Sequence, residues 1–245
     1  MAYPITTKVI KSGDKLEFYK YEDPVYKGFK AGNRQCRNPD NISPEEKQEN
    51  RRRSMRRARK KVMRYVNANA EDLCRFWTLT FSDNKIDLDQ ANEEFKNFTR
   101  RLRYHYPDIE YICVVEFQKR GAVHYHMLIN KWINQSFMTE VWSNGYTWVN
   151  YIPFSDIDNL GLYISKYMTK ENDERLRGQK SYWTSTGIKK PIEINNPTLE
   201  QIKKLFNLYK DKYEININCL YNTIFETEYF GSVIYSIFSI KLSPI

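Results

Sequence analysis

Two of the chain's three histidines stand two residues apart, in Val123-His124-Tyr125-His126-Met127. In a strand, residues i and i+2 share a face, about 7 Å apart at the backbone. Both imidazoles would then point the same way, and two ring nitrogens could converge on one cation. Tyr125, Met127 and Ile129 would fill the opposite face. Arg120-Gly121 predicts a tight turn back to a strand over 111–117, where Ile112, Val114 and Glu116 share a face. If the hairpin register aligns them, Glu116 reaches the same cation. Two nitrogens and a carboxylate leave positions open for water or a phosphate oxygen. That donor set suits Mg2+ or Mn2+ acting on a phosphoryl group, and its ligand types also allow Zn2+. The structural alternative is a pair of surface histidines beside an exposed strand acid.

A second constellation is Leu162-Tyr163-Ile164-Ser165-Lys166-Tyr167-Met168-Thr169-Lys170. On a helix, Tyr163 and Tyr167 fall on one face, and Lys166 and Lys170 follow each of them by three residues. An ammonium there can pair with phosphate oxygens or favour phenolate. Tyrosine nucleophiles beside a Lewis-acid metal make a phosphoryl-transfer arrangement. Two core aromatics of an amphipathic helix would give the same spacing.

The elements that must hold these residues follow from periodicity. Strands are predicted at 75–81, 111–117, 123–130 and 146–152, with helices at 88–106, 135–142 and 155–170, the last capped by Ser155. Strands joined by a hairpin and interleaved with helices give the α+β class, a central antiparallel sheet with flanking helices. This domain should span residues 71–191. An N-terminal extension, 1–70, would carry short strands and a helix from Ser43-Pro44 to about residue 67. A C-terminal extension, 192–245, would carry a helix at 198–210 and strands at 214–217 and 232–240.

The formal charge of +9 is concentrated, because residues 51–64 hold nine Lys or Arg and no acid, so the rest of the chain carries no net charge. Met55, Val62 and Tyr65 would dock this helix while Arg51, Arg52, Arg53, Arg56, Arg57, Arg59 and Lys60 face a polyanion. Clustered cations release the counterions condensed on a phosphate backbone, so nucleic acid is the expected partner. Cys74 and Cys113 lie in apolar runs and read as core, and no CxxC pair suggests zinc or a disulfide framework. No long apolar run or secretory leader is present, which predicts a cytoplasmic protein. No GxxxxGK[ST] segment occurs, so unwinding would come from a separate helicase. His105 reads as structural or nucleic-acid contacting, and Trp142 and Trp148 as core.

The order of these segments resembles the HUH endonuclease superfamily, specifically rolling-circle replication initiators of small single-stranded DNA phages and plasmids in their two-tyrosine form. Phe76-Trp77-Thr78-Leu79-Thr80-Phe81 is similar to the first motif and His124-Tyr125-His126 to the second. Tyr163 to Lys170 is similar to the third, and Tyr182 to Pro191 to a segment that often follows it. The resemblance implies a ferredoxin-like catalytic domain and a divalent metal on His124, His126 and Glu116. It further implies attack by Tyr163 or Tyr167 on single-stranded origin DNA, leaving a 5′-phosphotyrosine and a 3′-hydroxyl for a host polymerase. A mobilisation relaxase or a single-stranded DNA transposase would share this chemistry. A basic nucleic-acid-binding regulator, whose histidines and tyrosines only pack or stack, would lack it.

Overall fold

Period-two patterning sets most of the architecture. The computed structural model describes residues 2–28, 42–73, 75–152, 159–168, 176, 178–208 and 213–244. Its strands are β1 (Tyr3–Ser12), β2 (Lys15–Lys27), β3 (Arg75–Phe81), β4 (Tyr111–Phe117), β5 (Val123–Ile129), β6 (Gly145–Tyr151), β7 (Tyr182–Thr184), β8 (Ile192–Asn195), β9 (Tyr213–Thr227) and β10 (Gly231–Pro244). Its helices are α1 (Pro44–Ala68), α2 (Leu88–His105), α3 (Gln135–Trp142), α4 (Leu160–Ser165) and α5 (Leu199–Leu205). The strands form two five-stranded antiparallel sheets, so the fold is α+β with extensions.

The chain divides into two units, one from Pro39–Lys189 and one from Met1–Asn38 with Lys190–Ile245. This grouping differs from the three-part division read from sequence. The chain's two ends share a sheet, and the basic helix packs with the larger unit.

In the larger unit the sheet order is β6-β3-β5-β4-β7. Every residue of β5 is buried, because β3 and β4 flank it and helices cover both faces. One face carries Trp77, Leu79, Cys113, Tyr125 and Met127 against Phe95, Phe98 and Leu102 of α2 and Met138 and Trp142 of α3. The opposite face carries Phe76, Ile112, Val114 and Leu128 under Val62 and Val66 of α1 and Leu160, Ile164 and Met168. Side-chain caps start these helices: Ser43 accepts from the Glu46 amide at 3.1 Å and Asp87 from the Gln90 amide at 3.0 Å.

Two glycines set close approaches. A Cβ at Gly145 would lie 2.4 Å from both the Thr80 oxygen and the Ser82 nitrogen, so only glycine lets β6 begin against β3. A Cβ at Gly161 would lie 3.1 Å from the Met63 carbonyl, so α4 sits tightly on α1. Helix α4 is shorter than the expected 155–170. It ends at Ser165 and continues as a 3-10 turn, Lys166–Met168, while Ser155 and Lys170 lie outside the described residues.

In the smaller unit the order is β8-β1-β2-β10-β9. Helix α5, begun by a capping box of Thr198 and Gln201, packs Ile202 and Leu205 with Phe206 over Val9, Leu16 and Ile240. It stops short of the expected residue 210, and Asn207 beyond it takes a left-handed φ of 54°. The expected strands at 214–217 and 232–240 are the cores of the longer β9 and β10.

Candidate active site

The β4–β5 register sets Glu116 opposite His124 and Val114 opposite His126. On the other side of β5, Thr80 stands opposite His124 and Thr78 opposite His126. Glu116, both histidines and both threonines therefore share one sheet face, the arrangement that the i, i+2 spacing predicts. Both imidazoles are buried, His124 at 6% and His126 at 4% relative exposure, which makes any charge there costly without a partner. Neighbours supply partners. Nε2 of His126 lies 2.8 Å from Oε2 of Glu116 and its Nδ1 lies 3.2 Å from the Thr78 hydroxyl. Nδ1 of His124 lies 3.4 Å from the Gln118 amide nitrogen. Holding Nδ1 fixes each ring and directs Nε2 of His126 to the carboxylate.

Both tyrosines come to this face. Leu160, Ile164 and Met168 are buried, and this apolar row turns the neighbouring row, Tyr163 and Tyr167, toward the histidines. The Tyr167 ring stacks on His126 with centroids 3.7 Å apart. Phe76 lies beneath the group, 5.7 Å from His126, 5.2 Å from Tyr163 and 5.6 Å from Tyr167. The Tyr167 hydroxyl donates to the Tyr163 hydroxyl at 3.0 Å. Burial first, then that hydrogen bond, then the neighbouring Tyr163 and Glu116 charges, push the Tyr167 phenol well above the ordinary tyrosine range. Tyr163 keeps 38% of its surface exposed. The two phenols thus differ: one is packed and held neutral, the other is accessible and accepts a hydrogen bond.

The donor set of two imidazoles and one carboxylate fits a divalent cation by type and by register. Among the described residues, however, no group of three His, Cys, Asp or Glu side chains stands ready-made around one point. The reason is visible in the geometry, because Glu116 is hydrogen-bonded to Nε2 of His126, the atom a cation would take. A cation entering here would replace the proton shared by that pair, so its uptake would release a proton.

Of the expected cations, Lys166 is exposed with Nζ 5.7 Å from the Tyr163 ring centroid. Along α1, Arg53, Arg56 and Arg57 are exposed, while Arg51, Arg52, Arg59 and Lys60 are half-buried. Arg53 pairs with Glu49 at 3.2 Å. Helix α1 covers the same sheet face as α4, docked by Val62 and Val66, with Ala58 and Tyr65 partly buried beside them. The expected stripe therefore holds at Val62 and Tyr65 and gains Val66. Trp142 is core, as expected, but Trp148 is 63% exposed, because β6 is an edge strand. His105 is exposed and packs edge-on against Phe137, 5.1 Å between centroids.

Sequence reasoning did not single out Thr78, Gln118 or Phe76 as supports of the site. Thr78 carried a signal, since threonines alternate with Trp77 and Leu79 and so face the histidine side. Gln118 carried none.

Residues 74–172 match the family model for replication-associated proteins of the ORF2 group. No curated protein and no solved structure matches the chain. The matched stretch contains Thr78, Glu116, both paired histidines and both tyrosines, and over it the chain is similar to replication-associated proteins.

Proposed function

We propose that the protein initiates DNA replication by nicking single-stranded origin DNA and joining itself to the new 5′ phosphate through a tyrosine. The observation that carries this reading is His126, hydrogen-bonded to Glu116 at 2.8 Å on one side and stacked on Tyr167 at 3.7 Å on the other. Metal-ligand chemistry and nucleophile chemistry meet on one imidazole. The similarity of residues 74–172 to replication-associated proteins supports the same reading, and the basic α1 helix on this sheet face supplies cations for a phosphate backbone.

Tyr163 is the nucleophile in this proposal. Its hydroxyl is accessible, and the hydrogen bond donated by Tyr167 favours its phenolate form. Tyr163 Oη attacks the phosphorus, the bond from phosphorus to the 3′ oxygen breaks, and a 5′-phosphotyrosine and a free 3′-hydroxyl result. The phenol's proton passes to solvent and the departing oxygen takes one up. The phosphodiester is exchanged, not hydrolysed, so a 3′-hydroxyl can later reverse the step. A divalent metal, when held by His124, His126 and Glu116, supplies positive charge at the scissile phosphate. Lys166 sits where it can pair with a phosphate oxygen. The 3′-hydroxyl would serve a host polymerase, with unwinding by a separate helicase.

The test is covalent capture of labelled single-stranded origin DNA in Mn2+. Tyr163→Phe should lower adduct formation at least about a thousandfold, as loss of a nucleophile does, while Tyr167→Phe should retain a reduced but measurable yield. Adduct formation by the double variant at the wild-type level would overturn the proposal. Wild-type protein that binds this DNA in Mn2+ but never cleaves it would favour the regulator reading.

A further inference from the structure

The sheet face that carries the histidines does not stop at β3. Register continues it onto the edge strand β6, where Tyr146 stands opposite Thr80 and Trp148 opposite Thr78. The same threonines face His124 and His126 across β5. Tyr146 and Trp148 therefore lie in the cross-strand rows of the two histidines, two strands away, or about 10 Å at the backbone. They are also unusually open, 71% and 63% exposed. The opposite side of β6 does the packing, with Thr147 buried at 5% and hydrogen-bonded to Thr139 and Gln135. Burial therefore gives no reason for two large aromatics on the outer side.

We infer that Tyr146 and Trp148 form a stacking platform for unpaired bases next to the scissile phosphate. The inference rests on the single-stranded DNA substrate proposed above and names the part of it that β6 would hold. Three features point to bases as the occupant. The indole Nε1 of Trp148 already donates to Asn150 Oδ1 at 3.0 Å, so its polar atom is satisfied and its ring is oriented. What it offers a ligand is a π face. Strand β6, Gly145–Tyr151, carries no charged residue, so its contribution to binding would come from stacking and not from phosphate pairing. The i, i+2 spacing separates the two residues by about 7 Å, roughly twice the 3.4 Å rise of stacked bases, which leaves room for one base between the rings. A duplex keeps its bases inside and could not use such a platform.

The experiment is fluorescence anisotropy with a fluorescein-labelled 20-mer of thymidine against a 20-base-pair duplex, at several salt concentrations. Trp148→Ala and Tyr146→Ala should each weaken single-strand binding by roughly 5- to 150-fold, the range for losing one base stack, with Trp148→Phe within a few-fold of wild type. The slope of affinity against salt should not change, because no phosphate contact is lost, and duplex binding should be unaffected. A 20-mer with abasic sites should bind wild type more weakly and the Trp148→Ala variant no differently, a comparison that survives any folding defect. Wild-type single-strand affinity in both alanine variants would overturn the inference, as would equal loss of duplex and single-strand binding. Covalent capture run in parallel separates the two proposals. Loss of stacking without any adduct in wild type leaves the platform standing and removes the nicking reading. Normal adducts with unchanged affinity in Trp148→Ala do the reverse.

Discussion

Each of the two sheets places a glutamate beside tyrosines, and the two clusters are built differently. In the smaller unit, Glu17 is 6% exposed and its Oε2 accepts hydrogen bonds from Tyr19 at 2.9 Å and Tyr235 at 2.8 Å. The phenol rings lean on one another at 4.7 Å, and Lys8 lies 4.6 Å above Tyr19. That carboxylate is enclosed by donors that stay neutral at ordinary pH and hold it in place. In the larger unit, the Glu116 side chain is 27% exposed and faces an imidazole, and the nearby phenols bond to each other, with Tyr163 left accessible. An imidazole and a carboxylate can exchange a proton or take a cation between them. Residue type alone does not separate a structural network from a reactive one. Access does, together with the chemistry of the partner.

The contrast in access can be broken most sharply at two cysteines. Cys113 of β4 lies in the core of the larger unit, where burial pushes its thiol well above the ordinary range, while Cys219 of β9 is exposed. A raised thiol pKa favours the neutral form, so raising pH through the ordinary range should accelerate alkylation of Cys219 and not of Cys113. Peptide-resolved mass spectrometry after iodoacetamide should show Cys113 protected on the order of a thousandfold or more, since reaction requires opening the sheet. Equal labelling would mean that β4 is not held as described.

Packing separates the units less steeply but still clearly. Phe76 is 1% exposed and lies beneath His126, Tyr163 and Tyr167. Phe76→Ala should cost about 3–5 kcal/mol, and hydrogen exchange should report it in β3 and β5. Ile224 of β9 is 64% exposed, and Ile224→Ala should change stability by less than about 0.5 kcal/mol. A large loss at Ile224 would mean that β9 is covered in solution.

The same contrast decides what could be read from sequence. β3, β4 and α3 begin and end where periodicity places them, and β5 and β6 differ by one residue. The Glu116–His124 register was legible because a short turn links the two strands, and local geometry fixes pairing there. No local signal joins the chain's ends. The Thr6 amide bonds to the Asn196 side chain at 2.9 Å across 190 residues, and β1 pairs with β8 at a similar separation. Pairing of that range is decided by the whole chain. Trp148 shows the same limit in another form. Its alternation with Val149 predicts a strand with one buried face, and only the strand order puts β6 at an edge with Trp148 outside.

The two glutamates allow one substitution to be tried in both settings. Glu116→Gln keeps the shape and removes the charge that would hold a cation, so covalent capture should fall roughly 10- to 100-fold at limiting Mn2+. Raising Mn2+ should restore it, because a weakened site still fills by mass action. Stability should barely move, since the same change removes a partly buried charge. Glu17→Gln should leave capture unchanged at every Mn2+ concentration and lower stability by about 1–3 kcal/mol, because an amide oxygen accepts two phenol hydrogen bonds less strongly than a carboxylate. The readouts should therefore cross over, with activity sensitive at one acid and folding at the other. Loss of stability at Glu116 without loss of capture would make it a second structural network and remove it from the metal site. Capture that falls equally in both variants would show that the smaller unit contributes to the chemistry.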